Sequence, residues 1–556
     1  MNLFLLVFGA FIILTLGYRF YGSLLSRWLH IKDSNTTPAH EFNNGVDFIP
    51  TKKFYLLNQH LSAIAAAGPI VGPILAGLWF GWLPTFIWIV LGGIFIGGVH
   101  DMVSIVASIR HQGKSIAEVI QDTMNRRIFI VFLFFLWFSL VYIICAFTDV
   151  TSSTFAEAQR GAGIASSSVM YLFLALAIGL ILKNRPVPLT LTTAISLPLV
   201  FLCIYLGPNF PIHLPSLFGF DTRMSWNVVL LLYCFFAAIA PVWLLLQPRG
   251  YLGGFFLLVT AGFSVLGLLI GSFTNSYSIH YPAFISFHNP QGLPIVPILF
   301  ITVACGACSG FHCLIASGTT SKQLFKESDA KAVGYGGMLL ESFIAVIALG
   351  TLAILTNDQA KVLKDPDQIY ANGIATFLGS LRINHEFAYN FALLAFATFV
   401  FDTLDVATRL GRYIFEEITG WKNKWSPYVA SFATLILPFL FVSQKMTDAN
   451  GNVIPGWKIF WTVFGSSNQL LAALVLFGLS VWLFKKRMKF HYALWPAIFM
   501  LIIAVVSIIL IIKPWLTNIL SGTSLSLDPI GITCLILLVL TVFILVEGTK
   551  IFLRDR

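Results

Sequence analysis

Charge is what this sequence has least of. Only 10% of its 556 residues are Asp, Glu, Lys or Arg, against 57% hydrophobic, and the mean hydropathy is +0.85. A water-soluble chain of this size cannot cover its apolar interior with so few charges. Long polar connections are scarce too. The largest, roughly 23–55 and 356–385, are too short to hold a soluble domain. The sequence also has no Walker A motif, no dinucleotide fingerprint after a strand and no His-Glu-x-x-His. ATP-driven transport by this chain alone is therefore not expected, and no enzyme active site or cofactor is indicated. The seven cysteines nearly all fall in apolar runs and give no sign of a secreted disulfide framework. The first apolar run lacks a basic leading region and a small-residue cleavage site, so it is expected to be a retained helix.

What is present is a series of apolar runs of about 20 residues, the length that crosses a bilayer as a helix. They lie near 2–22, 56–78, 82–109, 128–147, 166–182, 189–207, 226–246, 251–272, 294–316, 333–355, 386–408, 427–443, 461–484, 493–512 and 529–549. The expected class is an all-α polytopic membrane protein of about fifteen transmembrane helices. Lysine and arginine test the alternation. Of the 34, 26 fall on one set of alternate connections and 8 on the other. The positive-inside rule then puts the N-terminus outside and the C-terminus in the cytoplasm. The net charge of +10 belongs to those cytoplasmic connections and does not point to nucleic acid.

Residues 61–77 read LSAIAAAGPIVGPILAG. Proline has no N–H and displaces the carbonyl four residues back, so Pro69 and Pro73 are expected to free the carbonyls of Ala65 and Pro69. A free carbonyl in hydrocarbon costs several kcal/mol and is tolerated only inside protein or around a polar cavity. One reading is a space-filling kink. The other is a discontinuous helix, opened at Gly68-Pro69 and Gly72-Pro73, that holds an ion or substrate near the midplane. A second break is expected in AAIAPVWLLLQPRG (237–250), where Pro241 frees the carbonyl of Ala237. The two interrupted spans are five apart and run in opposite directions. This predicts a five-plus-five inverted repeat over 56–408, preceded by a first span and loop at 1–55 and followed by further spans at 409–556.

The ninth run, PIVPILFITVACGACSGFHCLIASGTTSKQ (294–323), presents a thin polar face around Gly306, Gly310 and Ser309. In five-plus-five transporters the helix at this position often lies against the first broken helix and offers hydroxyls to a cation. Here those are Ser309, Ser317, Thr319 and Thr320, unless they bond back to their own helix. Cys305, Cys308, Cys313 and His312 lack a second ligand pair, and no metal site is expected. Charges at bilayer depth mark candidate proton carriers. These are Glu341, Asp101, His60, Asp402 and Asp405. Asp405 and Arg409 stand one helical turn apart and also read as a structural ion pair.

Eight segments resemble the carbon starvation protein A family. They are YRFYGSLL (18–25), TPAHEFNNGVDFIPTKKFYLLNQHLSAIAAAGPIVGPILAG (37–77), GVHDMVSIVASIRHQGKSIAEV (98–119), WLLLQPRGYL (243–252), TVACGACSGFHCLIASGTTSKQL (302–324), ESFIAVIAL (341–349), FDTLDVATRLGRYIFEE (401–417) and FGSSNQLLAAL (464–474). The chain departs from the family's usual pattern at Asn58-Gln59-His60 and at His100. The resemblance implies a bacterial inner-membrane importer of peptides or of pyruvate during carbon starvation. It also implies proton symport and a core like that of the amino acid–polyamine–cation superfamily. Freed carbonyls with hydroxyls suit sodium, whereas an isolated carboxylate suits a proton, so both coupling ions fit the residues. Two other classes fit the same layout. One is a membrane-embedded nutrient sensor acting through a partner at the cytoplasmic loops, the other a passive ion channel. Oligomeric state is not encoded in these features.

Overall fold

The computed structural model describes residues 2–45, 48–65, 67–123, 126–184, 188–217, 219–241, 243–274, 277–363, 365–421, 423–444, 456–521 and 529–554. Among the described residues the protein is all helix, with only isolated bridges outside it. Among the described residues, twelve helices are long and apolar enough to cross a membrane. Counting the bent pair Lys53–Ile64 and Gly68–Phe80 as one span makes thirteen.

The elements that position the site are α1 (Lys53–Ile64), α2 (Gly68–Phe80), α3 (Trp82–Ile109), α4 (Arg126–Phe155), α5 (Thr222–Ile239), α6 (Leu246–Thr274), α7 (Ile295–Thr302), α8 (His312–Ile315), α9 (Lys331–Ala353), α10 (His385–Thr419) and α11 (Gly456–Lys485). The helices Leu3–Trp28, Gly161–Asn184, Leu191–Asn209, His491–Leu520 and Ile530–Lys550 complete the long apolar set. They keep many large apolar side chains on their outer faces, among them Phe20, Phe173, Tyr205, Trp495 and Val539, as a lipid-facing surface requires. By contrast, α3, α10 and α11 are enclosed by other helices over most of their length.

The count of fifteen spans needs correction at two places. Ser426–Val442 is an apolar helix of 17 residues, at the short end of the range that crosses a bilayer, and stands outside the twelve. The run 294–316 is not one helix. α7 stops at Val303 (φ −96°, ψ 62°) and helix resumes only at α8, which leads into a π-helical turn at Ala316–Thr320.

The expected break at 61–77 is real but lies just ahead of the prolines. α1 ends at Ala65 (φ −82°, ψ 66°) and the axis turns by 48° into α2. Pro69 occupies the first turn of α2, where a missing N–H has no helical partner to lose. Pro73 lies inside α2 without ending it. The break expected at Pro241 is a different feature. Ala240 turns extended (φ −58°, ψ 148°) and closes α5, so Pro241 sits in the connection to α6. A helix end thus replaces the second interruption on which the inverted-repeat reading stands. The segment that does match the broken α1–α2 is the ninth, 295–320.

These two interrupted segments pack directly on each other through small residues. A Cβ on Gly68 would collide with Cys305, and one on Gly72 would come within 2.5 Å of the Thr302 carbonyl oxygen. Gly92 and Gly97 of α3 meet Ala307, and Gly310 meets α11 at Asn468 and Ala472. Close backbone approach of this kind is how membrane helices gain packing energy without a hydrophobic drive. We expect Gly72→Ala to abolish the folded protein, since a carbonyl cannot step aside as a side chain tip can. Heat-induced loss of monodisperse protein in detergent checks this. A Gly72→Ala variant as heat-resistant as the parent would contradict the packing described.

Candidate transport site

The unwound stretch between α7 and α8 exposes backbone groups at membrane depth, and each described partner is supplied by a neighbour. Trp88 Nε1 donates to the Val303 carbonyl (3.1 Å) and Trp461 Nε1 to that of Thr302 (3.4 Å). Gln469 donates to the carbonyls of Phe300 (3.2 Å) and Cys308 (3.0 Å). Asn468 accepts from the Phe311 N–H (2.9 Å) and pairs with the Ser309 hydroxyl. Polar satisfaction of this kind keeps irregular backbone stable away from water. It also gives a structural role to Asn468 and Gln469 of α11, a role that no local sequence feature points to. Cys305, Cys308 and Cys313 are buried free thiols, and His312 turns away from them.

Beside this junction lies a cavity of about 550 Å³. Its wall includes His60 and Ser62 of α1, the π-helical turn with Ser317 and Thr320, and Asp402 and Arg409 of α10. It runs toward Ser115–Glu118, Lys322 and Glu417, at the end of the bundle that carries the basic connections. The four candidate hydroxyls divide evenly. Ser317 and Thr319 bond back to the carbonyls of Cys313 (2.6 Å) and Ile315 (3.0 Å). Thr320 instead meets His60 Nδ1 at 2.8 Å, and Ser309 meets Asn468.

The electrostatics of the wall differ from the helical-turn expectation. Asp405 pairs with Arg249 of α6, not with Arg409. Arg249 Nη1 lies 2.6 Å from Asp405 Oδ2 and its Nε 3.1 Å from Asp402 Oδ1. Tyr233 also donates to Asp405 (2.9 Å), and Ser62 donates to Asp402 (2.9 Å), which ties α1 to α10. A planar fork reaching two carboxylates in a dry setting outcompetes a flexible i,i+4 contact. Gly253 lets α6 approach this closely, because a Cβ there would strike Asp402 and Ser62.

Arg409 is left with a different task. Its Nη2 donates to the carbonyls of Ala237 (2.7 Å) and Ala240 (2.6 Å). These are orphan acceptors at the C-terminal end of α5. The carbonyl expected to be freed at Ala237 is therefore answered by a guanidinium. Arg409 is only 6% exposed and lines the cavity, and its Nε carries no hydrogen bond. Among the described residues no carboxylate lies within ion-pair distance of it.

Behind the cavity sits a second, sealed set. Asp101 of α3 accepts from His100 Nδ1 and from His312 Nδ1, both at 2.8 Å. Each of those ring nitrogens therefore carries the proton, leaving the two Nε2 atoms as the reactive positions. His312 Nε2 lies 3.2 Å from Glu341 Oε2 but off the hydrogen-bond axis, so both Glu341 oxygens lack a hydrogen bond. All four residues are fully buried. His312 is the pivot that sequence reasoning missed. Its only signal was its place next to an unwound glycine-rich stretch.

A smaller cavity of about 170 Å³ lies among the basic-poor connections, between Val71 of α2, Glu157, Asp365, Asp367 and Trp457. Burial pushes the Asp367 carboxyl up to about 6, against the opposing hydrogen bond from Thr154.

A bundle of apolar spans with two apposed interruptions beside a polar, arginine-lined cavity is the architecture of a multi-pass membrane transporter. The family model described as "Carbon starvation protein CstA" matches residues 2–370 and 360–507. The chain belongs to this family. It is 30% identical to the peptide transporter CstA of Bacillus subtilis, over 86% of this chain and 84% of that protein. It is 32% identical to the peptide transporter CstA of Helicobacter pylori strain J99, over 92% and 82%. The pyruvate/proton symporter BtsT of Escherichia coli is 29% identical over 87% and 78%. Among solved structures, a mutant of the Eremococcus coleocola manganese transporter aligns over 92% of this chain and 99% of its own, at 14% identity and a TM-score of 0.46.

Proposed function

We propose that this protein imports small peptides across the bacterial inner membrane by proton symport, with the N-terminus outside and the C-terminus in the cytoplasm. The observation that carries the reading is Arg409, a buried guanidinium at the cavity wall that, among the described residues, has no carboxylate within ion-pair distance. A bound substrate carboxylate supplies the missing partner, and a charge-assisted contact in a dry site is strong. The volume falls in the ordinary range for small-molecule sites. Carboxylates in the same wall, Asp402, Glu118 and Glu417, face the ammonium end of a peptide, whereas a small monoanion leaves them unanswered. The names of the relatives support transport of peptides or pyruvate. With loops of the basic-rich set at its mouth, the cavity is the inward-facing state of an alternating-access cycle. The coupling proton resides on the sealed set, with Glu341 and Asp101 as carriers and His312 between them.

Purified protein in vesicles, given an acid-outside gradient, tests this. Labelled di- and tripeptides are expected to accumulate above their external concentration and to leak away on adding a protonophore. Preferential uptake of pyruvate assigns the other substrate class. Accumulation driven by a sodium gradient alone overturns proton coupling.

A further inference from the structure

Of the five buried residues His60, His100, Asp101, His312 and Glu341, only His60 lines the large cavity. We propose that His60 hands the proton between the sealed set and the cavity, and that Gly337 is the clearance in which its ring works. The inference rests on the proton-symport reading above and adds the route by which the proton leaves.

Three observations meet on this ring. Its Nδ1 lies 2.8 Å from the hydroxyl of Thr320, which faces the cavity. Its Nε2 is buried and has no hydrogen-bond partner. Leaving such an atom unanswered costs about 1–3 kcal/mol, and packing alone gives no reason for it. The ring lies over Gly337 of α9, where a Cβ would come within 3.1 Å of His60 Cδ2 and 3.7 Å of Nε2. Gly337 and Glu341 are four residues apart and so share one face of α9. The unanswered nitrogen is therefore turned toward the strip of helix that carries Glu341.

An imidazole accepts a proton at one ring nitrogen and releases one from the other. In the inward step, Nε2 takes the proton arriving from the Glu341–His312 side. The Nδ1 proton passes to Thr320 Oγ1, and that hydroxyl releases its own proton into the cavity. One proton has moved, no bond to carbon has changed, and the ring is left as the other neutral tautomer. The charged and titratable groups around it are Asp101 on α3, His312 on α8, Glu341 on α9, and Asp402, Arg409 and Glu417 on α10, with Arg249 of α6 behind Asp402.

The test compares two rates in the same vesicles, uphill uptake in a pH gradient and exchange of labelled for unlabelled peptide at uniform pH. Exchange requires no net proton release. For His60→Gln, which keeps a polar side chain facing Thr320, the ratio of uphill uptake to exchange is expected to fall at least tenfold. Gly337→Ala, which alters no titratable group, is expected to lower the same ratio by pressing on the ring. An unchanged ratio in both variants, or an equal loss of both rates, overturns the inference. A parent protein indifferent to the pH gradient overturns the symport reading itself and this route with it. A parent that responds beside an unimpaired His60→Gln overturns this route alone.

Discussion

Substituting Arg409 by glutamine is expected to cut peptide uptake by roughly 30- to 4,000-fold. The estimate follows from the about 2–5 kcal/mol that removing one member of a buried charge pair costs, at 1.4 kcal/mol per tenfold. In the absence of substrate, Arg409 also holds the carbonyls of Ala237 and Ala240. Glutamine retains one donor for these, so the end of α5 stays capped while the charge is lost. Arg409→Lys keeps the charge but loses the fork, and is expected to fall between the two. Initial uptake rates in vesicles, normalised to the amount of folded protein, check the series. An Arg409→Gln protein within threefold of the parent contradicts the placement of the substrate carboxylate.

The second large effect is on stability. Arg249→Met is expected to destabilise the protein by about 3–5 kcal/mol, because it leaves Asp402 and Asp405 buried without their shared cation. Charge, not shape, is the cause, so a compensating change should rescue it. Adding Asp405→Asn to Arg249→Met restores the charge balance and is expected to recover most of the loss, with Tyr233 still placed to bond the amide. The midpoint of unfolding in detergent, for both variants, decides the matter. Equal losses in the single and double variants would show that packing of the arginine against Phe401 and Tyr233 dominates instead.

The two regions of this fold differed in how far the sequence disclosed them. The break at 61–77 was legible because two Gly-Pro pairs in an apolar run have few structural uses. Its spacing did not bring His60, Thr320 and Asp402 together; the cavity that groups them is a feature of the three-dimensional packing. The ninth segment misled. Glycine, alanine and cysteine hardly lower hydropathy, so an unwound backbone held by Asn468 and Gln469 reads as a span. Pro241 marked a true end of helix, but sequence spacing cannot tell an interruption inside a span from a turn between two spans. Arg249 and His312 were invisible as partners. Arg249 lies 153 and 156 residues from the two aspartates and His312 211 from Asp101, and no local rule reaches across such gaps.

Two arginines and two aspartates cluster at the deep end of the large cavity: Arg409 and Asp402 line it, and Arg249 and Asp405 stand behind them. Their formal charges cancel. An empty cavity of this kind crosses the bilayer without doing work against the membrane potential, which otherwise amounts to about 2.3 kcal/mol per charge per 100 mV. A monocarboxylate carried with one proton is likewise neutral, so its uptake is electrically silent. A zwitterionic peptide carried with one proton takes a positive charge inward. The resting potential then adds to the pH gradient, and the same four side chains make peptide import a current.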